Sequence, residues 1–468
     1  MLESMERFEK RVLIPSRQLD IIVVGAGLGG LGAAISLQLA GHRVTVLEAA
    51  SYLGEIGAGI QILPNSSRIL TQWGLRALLE PQATMPWTVN MLDWKGNYIT
   101  SMDLSETAHE YYAPFWDFHR ADLHAGLLSR SKELGASILL DARVVEILDS
   151  EDGSATVVLD TGERSCADLV VGADGLRSRC RDILYPEVDL LMSSGDMAYR
   201  ILLSSSSLKD DKELEALVRP HEVRYWMGPE LHAVSYPLRG GEMFNLVLIA
   251  PDDMPAEAMT LDGNVDEVHN LFKNWDYRLH KLLDRCESVR KWKLCYCSSH
   301  AEPWTNSNAT LTLLGDAVHA ALPYVASGAG MSLEDAAVLG ICLTRIDKHS
   351  TELEKRHALS VYEKCRRART EAIVDRGIRQ QTLFHLPDGD EQIKRDHLLR
   401  KFGLEVDVAQ TISMDKDHYS DEDPLPWRSN GIGRWLFSYD VVEDVERNWN
   451  CEHTNECQGV DQSIRERI

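Results

Sequence analysis

Gly25-Ala26-Gly27-Leu28-Gly29-Gly30 sets a G-x-G-x-x-G run between a short apolar segment, Leu19 to Val24, and a stretch rich in small residues reaching Ala40. No other feature of the chain restricts its fold as much. The apolar segment reads as a buried parallel strand. The small-residue stretch reads as a helix, and Arg43 to Leu47 as a second strand ending on Glu48. Together they form a βαβ unit. In such a unit the first glycine allows the tight turn, the second lets backbone approach a pyrophosphate, and the third lets helix and sheet pack closely. The helix start offers unpaired N–H groups to phosphates, and an acid ending the next strand accepts ribose hydroxyls. Gly25, Gly27, Leu28, Gly30 and Glu48 are therefore candidate dinucleotide contacts.

Two further strand-to-glycine units lie far along the chain. Asp168 to Val171 runs into Gly172-Ala173-Asp174-Gly175, and Leu311 to Leu314 runs into Gly315-Asp316. A helix follows over about Met331 to Thr344, opened by Ser327-Gly328-Ala329-Gly330. These pieces predict an α/β, Rossmann-like nucleotide-binding domain built from separated segments. Two strand-end aspartates, Asp174 and Asp316, either contact a long ligand with several hydroxyls, such as a ribityl chain, or cap their own turns. The free N–H groups where Ser327-Gly328-Ala329-Gly330 opens that helix suit negative charge on a reduced flavin.

The intervening texture is different. Met197 to Leu203, Glu222 to Met227, Leu231 to Leu238 and Met243 to Ala250 read as strands, with turn pairs Gly228-Pro229 and Gly240-Gly241. They predict an inserted antiparallel substrate domain. The expected division is a FAD-binding domain over 1–190 and 286–345, a mainly antiparallel substrate domain over 191–285, and a C-terminal helical region and tail over 346–468. Residues up to Leu79 read as helix and loop with Pro64-Asn65 as a break. The polar stretch from Pro387 to Asn430 reads as mixed helix and mobile loop.

On the strand Leu231 to Leu238, His232 and Tyr236 share one face. That face either meets substrate or is the wet side of the sheet. In the first case His232, with an ordinary pKa near 6.5, suits removal of a phenolic proton, directly or through Tyr236. Arg200 is either an anion partner for a phenolate or carboxylate or a member of a structural ion pair.

Formal net charge is −23, which argues against nucleic acid and anionic membrane as partners. No apolar run approaches the ~20 residues of a spanning helix. The first twenty residues carry no signal-peptide pattern, so a cytoplasmic protein with reduced thiols is expected. Cys295 and Cys297 are the one close cysteine pair, and without a second pair no metal site is expected.

The motifs IVVGAGLGGLGAA with Glu48, GEIGAGIQILPN at Gly54 to Asn65, HRADL at His119 to Leu123, DLVVGADGLRS at Asp168 to Ser178 and LLGDAVHAALPYVASGAGMSLEDA at Leu313 to Ala336 make the chain resemble the class A flavoprotein aromatic hydroxylases. These include para-hydroxybenzoate, 3-hydroxybenzoate 6- and salicylate hydroxylases, and the likeness is greatest to the fungal salicylate-hydroxylase-like enzymes of secondary metabolism that act on polyketide phenols. The resemblance runs from about Leu19 to Asp440. It implies a para-hydroxybenzoate-hydroxylase-like fold, FAD as cofactor, and NADH or NADPH as a transient electron donor without a second fingerprint of its own. It implies hydroxylation of a small phenolic substrate by O2 through a flavin C4a-hydroperoxide, in a monomer or homodimer. Product options are a catechol, a decarboxylated diol or a dearomatised dienone. Carried over by position, Gly59 and Arg120 contact the flavin, Asp174 belongs to the motif linked to FAD and NAD(P)H, Asp316 meets ribityl or pyrophosphate oxygens, and Ala329 and Gly330 meet the isoalloxazine. The resemblance also favours Arg200, His232 and Tyr236 as the catalytic group and His319 as structural. Pro323 departs from bacterial relatives that carry glutamine there. Two other readings are epoxidation or Baeyer–Villiger oxidation of a non-aromatic metabolite, and a non-catalytic binding protein that retains the flavin fold.

Overall fold

A computed structural model describes residues 10–11, 13–54, 58–150, 153–298, 302–409 and 421–450. Residues 55–57 of the GEIGAG motif, 410–420 of the expected loop, and the terminal stretches 1–9 and 451–468 lie outside the described residues.

The five-stranded parallel sheet is assembled from five distant segments. Its order is Leu311–Leu313, Leu169–Gly172, Asp20–Val24, Arg43–Leu47, Ser137–Leu139. The first four strands are buried almost throughout because helices cover the sheet. Above it, the helix Leu28–Leu39 lies against the helix Gly328–Leu343. Small residues permit this: a Cβ on Gly32 would lie 3.2–3.4 Å from Leu333, Trp73 and Ala336, and one on Gly340 would strike Ser36 Oγ at 2.0 Å.

The second layer is an eight-stranded sheet. Its order is Thr260–Gly263, Val289–Cys297, Leu191–Ser204, Met243–Pro251, Leu231–Leu238, Glu222–Gly228, Thr88–Asp93, Tyr98–Asp103. Every pairing is antiparallel except that of Glu222–Gly228 with Thr88–Asp93. The sheet thus recruits strands on both sides of the 191–285 span read from the sequence. Thr88–Asp93 and Tyr98–Asp103 join by that long-range parallel pairing, which no local turn signal announces. Side chains alternate between two covered faces. Trp226, Phe244, Leu246 and Leu248 pack outward against the helices Lys212–Val218, Val265–Leu271 and Tyr277–Leu283. Ala198, Val223, Tyr225, Tyr236 and Ile249 pack inward against Tyr324, Val325 and Met331, where the helix Gly328–Leu343 begins.

Pro64 does not break a helix; it starts one. Pro64–Gln72 is helical with proline in its first turn, where the missing N–H costs nothing. The strand Gly59–Ile62 precedes it and pairs with Trp116–His119. The long helix Glu352–Phe384 opens with a Thr351/Glu354 capping box and buries one side. No helix among the described residues is long and apolar enough to cross a membrane.

Candidate active site

The parallel sheet brings Gly25, Glu48, the Asp174 turn and Asp316 to one edge, because the strands that end on them are neighbours. Ligands of open α/β sheets bind outside this carboxyl edge. Gly25 has φ +100°, which favours glycine, and a Cβ there would strike the Ala173 carbonyl at 2.5 Å. A Cβ on Gly30 would sit 2.0 Å from the Gly25 oxygen. Gly27 is different: nothing lies within 4 Å of its Cβ position. The turn is crowded where it must pack and open where a pyrophosphate would approach. Leu28 is buried as the first residue of its helix, so its backbone N–H, not its side chain, is the group offered.

Glu48 accepts the N–H of Ala26 at 2.8 Å through one oxygen and that of Ala50 at 2.8 Å through the other. It braces the glycine turn while remaining partly exposed. His124 binds the same turn, its Nε2 2.8 Å from the Ala26 carbonyl. Asp174 uses both oxygens locally, accepting from Ser178 Oγ at 2.5 Å and Cys180 N at 3.0 Å. It holds the N-cap Ser178 of the helix Arg179–Leu184 and accepts one of that helix's first N–H groups, the turn role rather than a free carboxylate.

Asp316 has no such local engagement. Burial pushes its carboxyl above the ordinary value, against the charges of His319 and Arg120, yet the side chain is open to solvent. Both facts hold for a carboxyl deep among protein groups with one open side, as on a cleft wall. Arg120 starts its helix, and its N–H is bonded to the Ala58 carbonyl at 2.9 Å. Ala329 and Gly330 lie in the first turn of Gly328–Leu343, whose N-cap Ser327 makes no side-chain cap. The N–H groups of that turn are left for a ligand.

Behind this turn lies a network that sequence reasoning missed. Glu334 accepts from Asn65 at 2.6 Å, from Arg366 at 2.6 Å and from Arg369 at 2.8 Å. Asp335 accepts from Gly315 N at 3.0 Å, from Arg366 at 2.8 Å and contacts His319 Nε2 at 2.6 Å. The side chains of Glu334, Asp335 and Arg366 have no exposed surface. Burial alone would raise both carboxyls, but Arg369 and Arg366 beside Glu334, and His319 and Arg366 beside Asp335, hold them below the usual range. The network fixes the helix Gly328–Leu343 to the Asp316 turn and to Glu352–Phe384. The run LEDA carried the signal: two adjacent acids inside an apolar helix require buried cations.

The substrate-side residues share the inward face. Arg200 pairs across the sheet with Val247 and so with Val234, while His232 pairs with Ile249 and Tyr236 with Asn245. His232 is 2% and Tyr236 5% exposed, so neither is on a wet face. The Arg200 guanidinium lies 4.7 Å from the Trp292 ring centroid, a cation–π contact. Tyr236 rests on the flavin side: a Cβ on Gly59 would lie 2.5 Å from its ring, and Gly59 N donates to Asn245 Oδ1 at 2.9 Å. Burial, with Asp117 and Tyr225 adding to it, keeps the Tyr236 hydroxyl protonated well above its usual range; Arg200 opposes. The hydrogen-bond partner of the His232 ring is His385, not Tyr236. The His232 Nδ1 lies 2.7 Å from His385 Nε2.

Residues 18–377 match the model of the FAD-binding domain family, well over half the chain. The chain belongs to this family of FAD-dependent monooxygenases. It is 37% identical over 428 residues to the FAD-dependent monooxygenase OpS4 of Beauveria bassiana, covering 91% of this chain and 96% of that protein. It is 32% identical to a 3-hydroxybenzoate 6-hydroxylase of Klebsiella oxytoca, over 81% of this chain and 92% of the relative. A solved salicylate hydroxylase substrate complex superposes with a TM-score of 0.72 at 19% identity, covering 92% of this chain and 98% of that one; this likeness concerns the fold. The residues present fit FAD: open space at the Gly27 Cβ position, an acid at Glu48, an exposed Asp316 and an uncapped helix start at Ala329 and Gly330. FAD is its cofactor.

Proposed function

We propose that this monooxygenase hydroxylates a small phenolic ring, with NADH or NADPH as electron donor. The observation that carries this reading is the convergence of Arg200, His232 and Tyr236 on the inward sheet face, with Tyr236 packed on Gly59. Gly25, Gly27, Leu28, Gly30, Glu48, Arg120, Asp316, Ala329 and Gly330 would hold the FAD, while Asp174 secures the start of the helix Arg179–Leu184 beside them. Bound FAD, once reduced, supplies an electrophilic oxygen atom from O2.

This chain's own residues prepare the ring. Phenolate is far more electron-rich than phenol, so the site must remove the phenolic proton and hold the anion. His232 is neutral at rest, because burial and the neighbouring His385 hold its pKa well below 6.5; it is a proton acceptor. Tyr236, protonated, donates a hydrogen bond. Arg200 supplies the compensating charge. Four residue steps, roughly 13 Å of strand backbone, separate His232 from Tyr236, so they address different parts of the substrate. The covered sheet faces exclude bulk water. Hydroxylation of hydroxybenzoate or salicylate, the activity named for the similar proteins, suits such a pair. We place the protein in the cytoplasm, and the division into FAD-binding, substrate and C-terminal helical regions stands as part of this proposal.

The test is NAD(P)H-dependent O2 uptake across a phenol panel with product mass, in FAD-loaded protein. Expected are a product 16 mass units heavier, or the decarboxylated diol, and its loss in Tyr236→Phe and Arg200→Gln while both stay yellow. Alkenes or ketones turning over in place of phenols overturn the reading.

A further inference from the structure

His232 is the first member of a buried chain. His232 Nδ1 lies 2.7 Å from His385 Nε2, and His385 Nδ1 lies 3.5 Å from Asp196 Oδ2, an ion-pair distance. The same Asp196 oxygen accepts from Tyr324 Oη at 2.6 Å and from Gln381 Nε2 at 2.7 Å. These residues come from four separate elements. Asp196 sits beside a bulge, where the register of Leu191–Ser204 against Val289–Cys297 shifts between Ser193 and Met197 and Gly195 has φ +80°. Bulges re-aim side chains. His385 is the C-cap of Glu352–Phe384, and its carbonyl accepts from Glu230 N at 3.1 Å, in the turn that begins the His232 strand. Both rings are thereby held by backbone, not only by packing.

Two neutral imidazoles 2.7 Å apart share one proton, and the carboxylate decides which. Asp196 favours the proton of His385 on Nδ1, facing it. His385 Nε2 is then an acceptor, so His232 must carry its proton on Nδ1 and leave Nε2 bare. We propose that Asp196 and His385 are positioning residues that fix His232 as an Nε2 base and pass on its proton. This rests on the phenol-hydroxylase reading above. As the phenolic O–H breaks, its proton bonds to His232 Nε2; the Nδ1 proton moves to His385 Nε2; and the resulting His385 imidazolium is stabilised by Asp196. The His385 side chain is 12% exposed, which gives the proton an exit. The titratable groups facing the pair are Asp196 from the bulged strand and Tyr324 from the turn Pro323–Val325; Phe384 and Gln381 face it from the long helix.

The tautomer is read by NMR of FAD-loaded protein with 15N-labelled histidine, through two-bond ring couplings at neutral pH. Expected is a neutral His232 protonated at Nδ1. His385→Gln keeps that tautomer, since the amide oxygen accepts from Nδ1, but cannot conduct; His385→Phe loses the preference. With the best phenol of the panel, His385→Gln should lower kcat about a hundredfold with little change in KM for the phenol. Asp196→Asn should lower kcat and move the pH profile between pH 6 and 9. A wild-type His232 protonated at Nε2 overturns the proposal, as does unchanged kcat at every pH in both His385→Gln and Asp196→Asn. The tautomer needs no substrate, so it is decided even if no phenol is turned over and the functional reading fails.

Discussion

Gly59 and Tyr236 are in contact across the two layers: a Cβ on Gly59 would lie 2.5 Å from Tyr236 Cε2 and 2.6 Å from its hydroxyl. The flavin-side strand Gly59–Ile62 and the substrate-side strand Leu231–Leu238 therefore cannot be altered independently. Gly59→Ala should push the Tyr236 ring from its place, an overpacking cost of about 1–3 kcal/mol. The expected outcome is FAD retention, a lower Tm, and a rise in H2O2 relative to hydroxylated product, measured separately in FAD-loaded protein.

Gly27 and Gly30 should part company on substitution. Gly27→Ala adds a methyl into open space, so apoprotein stability should change by no more than about 0.5 kcal/mol. Its FAD affinity should fall, because the methyl occupies the pyrophosphate approach. Gly30→Ala meets the Gly25 oxygen at 2.0 Å and should destabilise the apoprotein itself. Thermal melts with and without FAD distinguish the two effects; equal apoprotein losses would refute the assignment.

Asp316→Ala should weaken FAD binding about tenfold or more, since flavin-chain hydroxyls left without an acceptor cost about 1–3 kcal/mol. Unchanged affinity by titration would mean that Asp316 only shapes its turn.

Glu334→Gln should be the most damaging conservative change. It removes a charge from a carboxylate bonded to Arg366 and Arg369 with no exposed surface, leaving buried cations under-compensated at a cost of about 3–5 kcal/mol. The acid limb follows from the same geometry. Folded-state pKa values of Glu334 and Asp335 are lowered, so their stabilisation is complete above the ordinary carboxylate value of about 4 and is lost as pH falls below it. Urea melts from pH 7 to pH 3 should show wild type declining steeply below about pH 4 and Glu334→Gln declining less from a lower start.

Tyr236→Phe should cost roughly 1.5–3 kcal/mol, about ten- to a hundred-fold in product formation, if its hydrogen bond to charge is felt in the transition state. Near-normal flavin reduction alongside slow hydroxylation would be the expected signature in stopped-flow traces.

The sequence by itself determined the elements whose causes are local. The glycine fingerprint, the apolar strand before it and the acid after it lie within one βαβ unit, so their spacing states their geometry. Leu231–Leu238 was legible for the same reason: an alternating strand fixes which residues share a face. Only the tertiary structure decided which face that was. His232 and Tyr236 are inward because the helix Gly328–Leu343 and the turn Pro323–Val325 cover that side. Asp174 and Asp316 look alike as strand-end aspartates; one spends both oxygens on its own turn and the other is exposed. The parallel pairing of Glu222–Gly228 with Thr88–Asp93, the partners of Glu334 and Asp335, and the His232–His385 contact join residues far apart in the chain. Such contacts are selected by packing and by the cost of leaving charge unpaired in the interior, and neither is written in local spacing.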